Sequence, residues 1–110
     1  MDLCEIFSNG LENAWDALRK LEPGNREVSV QMKYNRNHLL IRIRNKCRED
    51  LYVEKGIIPA TEKGGNDHGF GLVTIKTAAE QLDGEMFCYT ENGNFVLDVV
   101  VSCLAFAKMS

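Results

Sequence analysis

The sequence predicts one α+β domain, two helices packed on one face of a mostly antiparallel sheet. Three observations predict it. Apolar residues recur at helical spacing in two stretches, 2–21 and 72–82; period-two alternation marks short strands; turn residues join the strands in pairs. The resulting order is αββ–loop–αββ, a two-layer arrangement. At 110 residues there is room for one core, and 45% apolar with 26% charged residues is the composition of an ordinary globular chain.

The elements follow in order. Asp2 with Glu5 three positions on is a capping-box pattern, and Leu3, Ile6, Phe7, Gly10, Leu11, Ala14, Leu18 and Leu21 form one apolar stripe. Pro23-Gly24-Asn25 stops this helix. Val28–Met32 and Leu39–Arg44 alternate as strands, with Asn35-Arg36-Asn37 as the turn of a hairpin. Residues 46–70 are polar and glycine-rich without a sustained period, the pattern of a functional lid. Leu72, Ile75, Ala79 and Leu82 restore the helical repeat, closed by Asp83-Gly84. Glu85–Thr90 and Phe95–Ser102 are strands joined across Asn92-Gly93.

Composition removes several function classes. A net charge of −3 gives no electrostatic basis for binding nucleic acid or an anionic membrane. Arg42, Arg44, Lys46 and Arg48 alternate, which suits the solvent face of a strand. Cys4, Cys47, Cys88 and Cys103 lie far apart, against a zinc site or a disulfide scaffold and in favour of reduced thiols in a cytosolic domain. Met1 is followed by acidic residues, so no signal peptide is expected, and the longest apolar stretch, 95–107, is too short to span a bilayer.

Two segments carry chemistry. Asn9 and Asn13 are four residues apart on the first helix, about 40° apart around its axis on a face bordering the apolar stripe. Two amides there can offer carbonyl oxygens to a cation and amide hydrogens to phosphate oxygens, and magnesium suits such hard, shared ligands. Glu5 extends the same face by one turn. The competing reading is a polar helix edge making local hydrogen bonds. The second segment is Asp67-His68-Gly69-Phe70-Gly71-Leu72, immediately ahead of a helix. Its glycines let backbone approach an anion, and the helix start aims free N–H groups at it. Thr61 and Lys63 in the preceding loop can add a hydroxyl and an ammonium. Here the competing reading is a tight loop-to-helix turn. Taken alone, His38 and His68 read as surface or loop residues. No P-loop, dinucleotide fingerprint or nucleophile elbow occurs.

Taken together, the segments resemble the GHKL ATPase superfamily of gyrase, heat-shock chaperones, histidine kinases and mismatch-repair proteins. They look closest to the ATP-binding domain of the peptide-sensing quorum kinases. Residues 2–17, with Asn9 and Asn13, resemble the asparagine box, and 67–72 resemble the second glycine box. The resemblance implies a two-layer sandwich of the Bergerat type, with a mostly antiparallel mixed sheet and helices on one face. It implies that Asn9 coordinates Mg2+, that Asn13 contacts the ATP phosphates, and that His68, Gly69, Phe70, Gly71 and Leu72 line the nucleotide. Thr61 and Lys63 correspond to a threonine-lysine element in the lid.

The chain departs from the superfamily after the second strand. Asn45-Lys46-Cys47-Arg48-Glu49 stands where an aspartate and two glycines are usual, leaving Asn45 as a neutral acceptor for the adenine amine. The superfamily's hydrolases also carry a glutamate four residues before the position of Asn13; here that residue is Asn9, which cannot act as a base. Phosphoryl transfer is therefore expected rather than hydrolysis. Glu5 can polarise an acceptor or hold a metal-bound water, and the sequence leaves both open.

The expectation for residues 1–110 is thus the ATP-binding catalytic domain of a sensor histidine kinase, a fragment of a longer protein. The resemblance implies partners in a histidine-bearing dimerisation domain and, indirectly, a response regulator, with the domain on the cytosolic side of a membrane-bound sensor. Two other readings stay open: a protein-serine kinase of the anti-sigma-factor type, and a degenerate interaction module of the same fold.

Overall fold

The computed structural model describes residues 3–48 and 67–104, with backbone alone for 67–70. Helix α1 runs Leu3–Leu18 and a short 3-10 turn covers Pro23–Asn25; strands β1 (Val28–Asn35) and β2 (His38–Lys46) follow. After the undescribed connection come α2 (Asp67–Gln81), β3 (Glu85–Glu91) and β4 (Asn94–Ser102). The described strands form one sheet in the order β1-β2-β4-β3, and each neighbouring pair is antiparallel.

Both hairpin turns carry positive φ at their two central residues, Arg36 (50°) with Asn37 (65°) and Asn92 (51°) with Gly93 (76°). That is the mark of the two-residue turn whose twist matches the strands it joins. β4 enters between β2 and β3. Its register aligns Leu97 with Ile43 and Cys88, and Val99 with Ile41 and Met86.

These residues share one face of the sheet, and the helices cover it. Ile6 and Ala14 of α1 and Leu72, Ile75, Ala78 and Ala79 of α2 complete a single core with Ile41, Ile43, Leu97, Val99 and Val101. α1 lies on β2, α2 lies on β3 and β4, and the helices touch each other. On the opposite face, Arg42 grips Asp98 with two hydrogen bonds, 2.7 and 2.9 Å. The neighbouring carboxylate raises the guanidinium pKa above its ordinary value. Arg44 reaches Glu91 at 4.0 Å. The alternating basic residues therefore occupy the outer face, as their spacing predicts.

The ends of the helices differ from the sequence reading. α1 stops at Leu18, not Leu21, because Arg26 reaches back and donates to the carbonyls of Leu18, Leu21 and Arg19. α2 begins at Asp67, five residues before the expected start, so Gly69 and Gly71 lie inside its opening turns. No described helix is long and apolar enough to cross a membrane.

Candidate nucleotide site

α1 is held unusually close to the sheet. A Cβ on Gly10 would stand 2.6 Å from Ile43 Cδ1 and 3.4 Å from Leu97 Cδ2. This seating fixes the two asparagines that flank Gly10. Asn13 is buried, 8% exposed, and Asn9 is half-buried at the edge of the same stripe. The pair borders the core, as four-residue spacing predicts.

Asn9 is oriented by its own helix. Its side-chain Nδ2 donates to the Glu5 carbonyl at 2.9 Å, which leaves Oδ1 as the end available to a ligand. Glu5 is half-buried one turn earlier on this face. Among the described residues no cluster of three His, Cys, Asp or Glu could enclose a metal ion. A hard cation at Asn9 would therefore share its coordination with oxygens of the ligand and water, the habit of magnesium.

Asn45 lies on the helix-covered face of β2 and is 1% exposed. Register sets it between Val28 of β1 and Phe95 of β4. Its Nδ2 donates to the Lys46 carbonyl at 2.9 Å, so Oδ1 is again the acceptor end.

The glycine segment forms the start of α2 rather than a turn ahead of it. The N–H groups without a partner inside the helix belong to its first turn, 67–70, displaced from the position that the sequence suggests. Gly71 is half-buried, and a Cβ there would meet nothing within 4 Å, so packing against the described residues does not demand glycine. Leu72 is 1% exposed and belongs to the core, where its side chain serves packing. The side chains of His68 and Phe70, and all of Thr61 and Lys63, lie outside the described residues.

α1 therefore touches both the strand carrying Asn45 and the helix carrying Gly69 and Gly71. Asn9 Oδ1 and the buried Asn13 amide thus lie on α1, while Asn45 Oδ1 and the glycine segment lie on the two elements that α1 touches. Sequence reasoning missed Gly10 as the residue that seats the asparagine face. The small residue inside the apolar stripe was the available signal.

An open hollow of about 710 Å3 is lined by Arg26, Glu27, Val28, Ser29, Arg44, Lys46 and Asn94. Arg44 and Lys46 flank Asn45 in β2 and so point to the opposite face of the sheet. Val28, the register partner of Asn45, and Arg26, which reaches the end of α1, also line it.

Burial also sorts the thiols. Cys47 and Cys88 are buried and Cys4 is exposed. Burial pushes the Cys88 thiol up to about 11, which keeps it protonated and unreactive.

A family model described as GHKL domain matches residues 1–102. Among curated proteins, none matches the chain.

Proposed function

Because the chain belongs to the GHKL domain family, a family of ATP-binding domains that includes kinases, we propose that it is the Mg·ATP-binding catalytic domain of a two-component sensor histidine kinase. Its γ-phosphoryl acceptor would be a histidine in a separate dimerisation domain, with a response regulator downstream and the parent sensor in a membrane. The observation that carries this reading is the Asn9–Asn13 pair, one turn apart beside the core, with Asn9 Oδ1 left free of the helix by the Nδ2 bond to Glu5.

The chain's own residues divide the work. Asn9 offers a neutral oxygen to the cation, and Asn13 sits one turn further on toward the phosphates. The α2 N-terminus presents backbone N–H groups to phosphate oxygens, and Asn45 Oδ1 accepts from the adenine amine. When bound, magnesium neutralises phosphate charge while the triphosphate supplies the transferable group. No carboxylate occupies position 9, so no side chain there can deprotonate water, and transfer to a delivered acceptor is favoured over hydrolysis. Catalysis then rests on positioning and charge neutralisation.

The test is titration with a fluorescent ADP analogue, with and without magnesium. Saturable binding that strengthens with magnesium is expected. Absence of binding at millimolar nucleotide would overturn the reading and favour an interaction module of the same fold. With radiolabelled ATP and a histidine-bearing dimerisation domain supplied in trans, acid-labile label on that domain marks a histidine kinase. Acid-stable label on a serine protein marks the anti-sigma-factor type.

A further inference from the structure

α1 ends without the usual means of closure. No basic residue lies in its last turn, and no glycine follows Leu18 before Gly24. The carbonyls at its end converge instead on one side chain from further along the chain. Arg26 Nε donates to the Leu18 and Leu21 carbonyls at 3.0 and 3.2 Å, and Nη2 donates to the Arg19 carbonyl at 3.3 Å. A cation placed there also answers the negative end of the helix dipole. Arg26 is itself held in place. Its backbone N–H donates to the Pro23 carbonyl at 3.3 Å, and its guanidinium carbon lies 5.7 Å from the centre of the Trp15 ring, within cation–π range.

From Arg26 a short bonded route runs to Asn45. The next residue, Glu27, accepts the Lys46 N–H at 3.0 Å. The Lys46 carbonyl in turn accepts from Asn45 Nδ2 at 2.9 Å, the bond that leaves Oδ1 as the acceptor end. Val28, two residues after Arg26, is the register partner of Asn45. On the helix, the Gly10–Ile43 contact sets how close α1 stands to the sheet. The Arg26 bonds act about 12 Å further along the axis, where they set the direction of the helix end. Asn13 lies between these two points.

We propose that Arg26 is a positioning residue of the nucleotide site, holding the phosphate-side amides of α1 in register with the base-side amide Asn45. This rests on the nucleotide reading of the asparagine face. Arg26 touches no ligand in this role; it acts through the end of α1. A ligand that spans both halves gains from their fixed spacing, whereas a fragment that reaches one half does not. Lysine keeps the charge but not the planar fork that reaches three carbonyls from two nitrogens.

The experiment compares the unsubstituted full chain with Arg26→Lys and Arg26→Gln. Each is titrated with Mg·ADP, with adenosine and with magnesium pyrophosphate, up to millimolar ligand, by nitrogen-resolved NMR. Both variants should bind Mg·ADP roughly tenfold to a hundredfold more weakly. Adenosine and pyrophosphate should bind them as they bind the unsubstituted chain. The emission of Trp15, the one tryptophan of the chain, should change in both variants as the guanidinium leaves the ring. Unchanged Mg·ADP affinity in both variants overturns the proposal and leaves the nucleotide reading standing. Full affinity in Arg26→Lys also overturns it, because charge alone then suffices, and so does equal weakening of all three ligands, the mark of a loosened fold. No Mg·ADP binding by the unsubstituted chain removes the nucleotide reading and this proposal with it. If neither Arg26 variant folds, Trp15→Leu carries the test, since Trp15 is 53% exposed and its ring braces Arg26. Selective weakening of Mg·ADP supports the proposal there, and unchanged affinity overturns it.

Discussion

Gly10 and Ile43 sit so close that a Cβ on the glycine would lie 2.6 Å from the isoleucine Cδ1. This contact sets how far the helix bearing Asn9 and Asn13 stands from the sheet. Gly10→Ala gains about 1 kcal/mol of helix propensity but overpacks the core by about 1–3 kcal/mol, a net loss. Ile43→Val removes that same methyl and by itself costs about 0.5–1.5 kcal/mol. Combining the two should cost less than their sum by at least about 0.5 kcal/mol in a urea-unfolding cycle. Simple additivity would mean that the helix does not rest on Ile43.

The C-terminus of α2 closes with a Schellman arrangement, in which the Gly84 N–H bonds the Ala79 carbonyl and the Asp83 N–H bonds that of Glu80. Asp83 holds the left-handed conformation (φ 55°) usually given to glycine. The glycine is needed one residue later, where a Cβ would fall 1.8 Å from the Val100 carbonyl oxygen, a backbone atom. Gly84→Ala should destabilise by about 3 kcal/mol or more, while Asp83→Gly should be neutral or stabilising by up to about 1 kcal/mol. Thermal unfolding of both variants checks the order.

Gly71 separates fold from site. Nothing within 4 Å opposes a Cβ there, and the residue lies inside α2, so Gly71→Ala should leave stability unchanged or raise it by about 0.5–1 kcal/mol. If the opening of α2 receives phosphate, the same variant should weaken nucleotide binding. Unfolding curves and the fluorescent titration, run on one preparation, distinguish a lost site from a lost fold.

Asn9→Asp keeps an oxygen but loses the Nδ2 donor that fixes it, and sets a carboxylate against the Glu5 carbonyl. Magnesium-dependent affinity should fall, while magnesium-independent binding changes less. Equal loss with and without magnesium would remove Asn9 from the cation's coordination.

Cys88 links burial to pH. Its thiol is raised from 9.0 to about 11 by burial alone, so the unfolded chain ionises first as pH rises. This contribution to stability is complete below pH 9 and is lost as pH climbs toward 11. At neutral pH a thiol reagent should label Cys4 at once and Cys88 only on unfolding, as mass spectrometry of the modified peptides would show.

The local parts of this fold were readable in the chain. Asn92-Gly93 and Arg36-Asn37 fall where turn chemistry places them, and Asn9 and Asn13 border the core because four-residue spacing demands it. What sequence hid was set by distant partners. The insertion of β4 between β2 and β3 depends on packing between segments far apart in the chain. α2 starts at Asp67, so Gly69 and Gly71, read as an anion-approaching segment ahead of the helix, lie inside its opening turns. The alternation of Val28, Val30 and Met32 predicts a strand with one apolar face, but not that this face stays exposed at an edge. Arg26 as the cap of α1 could not be read from a local motif, since it acts from eight residues beyond Leu18.

The central claim is that one ligand engages the asparagine face of α1 and the start of α2 together. Nitrogen-resolved NMR of the chain titrated with Mg·ADP tests it most directly, following the side-chain amides of Asn9, Asn13 and Asn45 and the backbone amide of Gly71. All four should shift along a single binding curve. Shifts confined to other residues, or Gly71 moving while Asn9 and Asn13 stay still, would contradict it.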